Sequence, residues 1–88
     1  MKVSEAISEL EERITAMSFK RLVSICTEIF GAPRTKGSHH IFRTPWPGDP
    51  RINLQKDGGE AKPHQVRQVL AALKRLRRQE TEVKRSKQ

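Results

Sequence analysis

Apolar residues recur near the start of the chain at alternating steps of four and three, as Val3, Ile7, Leu10, Ile14 and Met17. That spacing draws one stripe along an α-helix, with Ser4 placed to cap it and glutamates on the opposite face. A second helix is predicted over residues 19–30, capped by Ser18 and closed by Gly31 and Pro33. Phe19, Leu22, Val23, Cys26, Ile29 and Phe30 would form its inward face.

From Arg34 the helical period gives way to short extended runs, 34–36, 39–44 and 51–55. They are separated by Gly37-Ser38 and by Pro45-Trp46-Pro47-Gly48-Asp49-Pro50, so three antiparallel strands are expected. Residues 56–62 read as a flexible loop around Asp57-Gly58-Gly59. Pro63 then opens a last helix with the stripe Val66, Val69, Leu70, Leu73 and Leu76. Beyond Leu76 the apolar period stops, and residues 77–88 are expected to fray into a flexible basic tail. The organisation predicted is an α+β domain over residues 18–76, preceded by an amphipathic helix within 1–17.

A two-residue Gly-Ser bend fixes the hairpin register, because Gly37 supplies the positive φ that a type II′ turn needs first. Lys36 then faces His39, Thr35 faces His40 and Arg34 faces Ile41. One side of the sheet carries Arg34, Lys36, His39, Ile41 and Arg43, joined by Arg51, Asn53 and Gln55. The other carries Thr35, His40, Phe42, Ile52 and Leu54 and becomes the core face. A slip of one residue would exchange the two histidines.

Charge gives that polar side a meaning. The chain of 88 residues carries +8 with a pI near 10.4. Its first seventeen residues hold two basic against four acidic side chains, so the remainder carries +10. Such a surface attracts a polyanion through counterion release. Among these cations, a neutral imidazole at His39 is a base able to take a proton near neutral pH. RNA brings its own nucleophile, the 2′-hydroxyl, so neither serine, cysteine nor metal is needed. The lone Cys26 lies among apolar neighbours and reads as a core residue of a reducing, cytoplasmic compartment. His39 and His40 project to opposite faces, which disfavours a metal site. No run of residues reaches the apolar length of a membrane span.

The segment Thr35-Lys36-Gly37-Ser38-His39-His40-Ile41-Phe42-Arg43, set between helices, resembles the HicA toxin family, bacterial messenger-RNA interferases. The resemblance covers roughly residues 18–76. It implies a double-stranded-RNA-binding-like α-β-β-β-α fold, with helices on one face of the sheet. It also implies a catalytic histidine directly after the Gly-Ser turn, at His39, and neutralisation by a HicB-type antitoxin protein. The expected reader of RNA is the set Arg34, Lys36, Gly37, Ser38 and Arg43, with no cofactor and no metal.

Two other readings stand beside this one. The same fold binds RNA without cutting it, or residues 1–17 form a docking face for a partner or a second copy of the chain. His64, just inside the last helix, reads as an exposed helix-start residue. Trp46 between prolines either covers the end of the core or stacks on an unpaired base.

Overall fold

The computed structural model describes residues 1–86. The elements run α1 (Val3–Glu12), α2 (Phe19–Phe30), β1 (Arg34–Lys36), β2 (His39–Phe42), β3 (Ile52–Gln55) and α3 (Pro63–Ser86). The strands form one antiparallel sheet in the order β1-β2-β3, and the fold is α+β. Phe42, Ile52 and Leu54 are buried, whereas Asn53 and Gln55 between and after them are exposed. The core therefore lies on one side of β2 and β3, where α2 and α3 meet the sheet.

The hairpin has the register that a two-residue turn dictates: Arg34 opposite Ile41, Thr35 opposite His40, Lys36 opposite His39. Gly37 takes a φ of +59°, a region open to glycine at no steric cost, while Ser38 keeps a negative φ. The neighbouring strand is pinned at the same end, because the Lys56 amide donates to the Ser38 carbonyl at 2.8 Å.

The leading helix is used internally. Ala6, Ile7 and Leu10 are buried, and α1 packs along α3, with Lys74 reaching Glu11 at 3.4 Å. Much of its apolar stripe is thus used within the chain, with Val3 and Ile14 partly buried. Glu9 clasps Arg21 of α2, Oε2 accepting from Nε at 2.6 Å and Oε1 from Nη2 at 2.8 Å. That hydrogen bond holds the Glu9 carboxyl below its ordinary range and raises the Arg21 guanidinium. The helix starts after Lys2, which supplies no side-chain cap, and Ser4 lies inside the first turn.

Three expectations are corrected by the packing. Ile25 is fully buried in α2 while Val23, Ile29 and Phe30 are only half-buried. The buried arc is turned toward Ile25, which joins Leu22 and Cys26 in the core. The loop over residues 56–62, read as flexible, is tied down by backbone pairing. Phe19 donates to the Gly59 carbonyl at 3.0 Å, and Ala61 to that of Met17 at 2.9 Å. Lys62 also bridges to Asp57 at 2.8 Å, which lowers the Asp57 carboxyl pKa.

The third correction concerns residues 77–88, read as a flexible tail. The helix that Pro63 opens continues to Ser86, while residues 87 and 88 lie outside the described residues. No glycine or proline interrupts it, its residues are mostly straight-chain helix formers, and extending an existing helix costs far less than starting one. Gln79 in this extension accepts the Trp46 indole N–H at 2.5 Å. Trp46 is buried, with the Arg75 guanidinium 4.3 Å from its ring centre and Phe30 edge-on at 6.4 Å. It covers the end of the core.

Candidate active site

Strand alternation sends every second residue of the sheet away from the helices. On that open side the hairpin places Arg34 and Lys36 from β1, both exposed, with His39 and Ile41 from β2, both partly exposed. β3 adds Asn53 and Gln55, the latter directly opposite His39. Among these six residues there are two cations, one imidazole and no carboxylate.

His39 is held by one specific contact. Its Nδ1 lies 3.0 Å from Oδ1 of Asn53, its diagonal neighbour on β3. A carboxamide oxygen only accepts, so this bond requires the hydrogen to sit on Nδ1 of the neutral ring. The lone pair is then on Nε2, the nitrogen left free to take a proton from elsewhere. Lys36 is the cross-strand partner of His39, at a Cα separation of about 5.5 Å for such a pair.

Arg43 stands apart from this cluster. It follows the last residue of β2, four positions from His39, which at about 3.3 Å per residue is roughly 13 Å away. It lines a groove of about 300 Å³ with Ile29, Phe30, Thr44, Pro45 and Leu76, at the opposite end of the strand from the turn. Arg51, expected beside His39, instead pairs with Asp49 at 2.7 Å. The expected ring of cations around the imidazole is therefore reduced to Lys36 and Arg34.

His40 faces the helix side, as its register with Thr35 and Leu54 requires, and meets Phe19 edge-on with ring centres 5.3 Å apart. His64 is exposed at the start of α3. Beside it Gln65 is buried, accepting the Lys62 amide at 3.2 Å and donating to the Gln55 carbonyl at 2.9 Å. This glutamine clamps the helix start to the end of β3. Burial pushes the Cys26 thiol up to about 12, which leaves it protonated and unreactive.

Among the described residues, no three His, Cys, Asp or Glu side chains come together to hold a metal, and no helix is long and apolar enough to cross a membrane. Sequence reading set Asn53 on the open side without giving it a role. The signal was there in the register, since a residue two positions from the direct partner lies diagonal to His39 and within reach. Compared with known protein families, with characterised proteins and with solved structures, the chain matches none at a significant level.

Proposed function

We propose that this chain is a metal-independent endoribonuclease of the HicA type, with His39 as its base. The observation that carries the reading is the His39–Asn53 contact at 3.0 Å on an uncovered, cationic sheet face. It leaves Nε2 as proton acceptor immediately after a rigid Gly-Ser turn. The α-β-β-β-α order after the leading helix suits the double-stranded-RNA-binding-like arrangement that the motif implies.

In the proposed reaction His39 Nε2 removes the proton of a ribose 2′-hydroxyl. The oxygen attacks the adjacent phosphorus, the bond to the 5′-oxygen breaks, and a 2′,3′-cyclic phosphate and a 5′-hydroxyl result once the leaving oxygen takes a proton from solvent. Lys36 and Arg34 hold the phosphate and offset charge on its oxygens as the bond breaks. The backbone amides of Gly37 and Ser38 and the Ser38 hydroxyl sit at the same end and would contact the strand. At roughly 13 Å, Arg43 would serve a different phosphate of the same strand. Messenger RNA as substrate, a HicB-type antitoxin as partner and a cytoplasmic setting belong to this proposal.

Purified wild type and His39→Ala are to be incubated with RNA and with its fully 2′-deoxy counterpart. Cleavage of RNA alone, lost in the variant, supports the reading. Equal cleavage by both proteins, or cleavage of the deoxy strand, refutes it. That none of the six described open-side strand residues is a carboxylate favours one second reading, an RNA-binding module without turnover. Its signature is salt-sensitive binding with no change in RNA length.

A further inference from the structure

The opposite side of β2 carries a second cluster that the proposed chemistry leaves unused. A cavity of about 310 Å³ opens between β2, the start of α2 and the loop after β3, lined by Phe19, Lys20, Val23, His40, Lys56 and Gly59 among others. Its size lies at the small end of the range for compact ligands. Phe19 and Val23 give it apolar walls, and two exposed lysines stand at its rim.

His40 is the unusual member. Its Nδ1 is buried and has no hydrogen-bond partner, although the ring as a whole is partly exposed. A buried N–H without an acceptor is less tolerable than a buried lone pair without a donor, so the neutral ring keeps its hydrogen on Nε2. His40 thereby lines the cavity as a donor. The start of α2 adds another. The Phe19 amide is taken by the Gly59 carbonyl and the Arg21 amide by Ser18 Oγ. The Lys20 amide between them has no protein acceptor among the described residues. Helix starts of this kind favour negative charge.

An apolar slot bordered by two ammonium groups, an imidazole donor and a free helix amide fits a flat apolar ring attached to an anion. We infer that this cavity is a nucleotide-binding site, taking the base against Val23 and the packed Phe19–His40 pair and the phosphate at Lys20 and Lys56. It goes beyond the proposed reaction, since it opens on the side of the sheet away from His39. The nucleotide is either free or one unit of a single strand that passes around the Gly37-Ser38 turn.

The test follows backbone amide signals of the full chain by NMR. Adenosine 5′-monophosphate, uridine 5′-monophosphate, inorganic phosphate and a short single-stranded DNA are added separately. Saturable shifts confined to residues 19–23, 40 and 56–59 are expected with at least one nucleotide. The exposed double variant Lys20→Ser/Lys56→Ser, whose fold the same spectra report, is expected to weaken binding about tenfold or more. Shifts at these residues with the monophosphates identify a free nucleotide, and with the DNA alone a strand. The inference is overturned if none of them moves these signals, if inorganic phosphate binds equally well, or if the double variant binds unchanged. His39→Ala is expected to keep this binding while losing cleavage, so the two readings fail independently.

Discussion

Asn53 holds His39 by its Nδ1 at 3.0 Å, although the two residues are not direct partners across the strands. The bond is diagonal, and it selects the tautomer that leaves Nε2 free. Asn53→Ala removes this guide without opening a cavity, because residue 53 is exposed. RNA cleavage is expected to fall roughly 10- to 100-fold through loss of orientation, with thermal stability changed by no more than about 0.5 kcal/mol. Single-turnover rates and melting curves check both, and an unchanged rate would remove Asn53 from the mechanism.

Gly37 stands at φ +59° with open space around the position a Cβ would take. Gly37→Ala therefore meets no neighbour, and its cost is that of the backbone alone, about 1–2 kcal/mol. Denaturant unfolding measures that loss. Cleavage is expected to drop further than the stability change explains, since the turn sets where His39 begins.

Glu9 and Arg21 join α1 to α2 by two hydrogen bonds. The folded-state pKa of Glu9 is lowered from the ordinary 4.5, so its contribution is complete above that value and is lost as pH falls through the lower folded value. Glu9→Gln is expected to cost about 0.5–1 kcal/mol near neutrality, because both side chains are partly in water. The wild type and variant curves should converge in acid. A gap that persists after Glu9 is protonated in the folded protein would contradict this assignment.

Trp46 fastens the loop between β2 and β3 to α3 through Gln79 and Arg75. Trp46→Ala is expected to lose about 3–5 kcal/mol and Gln79→Ala about 1 kcal/mol. Calorimetry or urea unfolding distinguishes them. Removal of residues 77–88 should destabilise by at least the Gln79 amount, whereas a detached tail would leave stability unaltered.

Cys26 is buried and its thiol is pushed up to about 12. A thiol reagent at pH ~8 is expected to label it only on unfolding, with a rate that follows denaturant. Rapid labelling of the native protein would show that the α2 face opens.

The chain order of helices and strands was legible in the sequence because each element writes its own period, three to four residues for the helices and two for the strands. So was the face on which each histidine lies. A two-residue turn leaves one register, and Gly37 is the residue that permits the turn. These are local constraints, carried by neighbours in the chain.

Tertiary structure decided what depends on residues far apart. It fastened the extension of α3 past Leu76 to the rest of the fold, because Trp46, thirty-three positions away, holds Gln79. It tied the glycine loop to α2, paired Arg51 with Asp49 and spent the stripe of α1 on α3. It also gave His39 its partner Asn53 and left His40 Nδ1 without one. Period and propensity act over a few residues. Burial and hydrogen-bond satisfaction are settled only when the whole chain has chosen its neighbours.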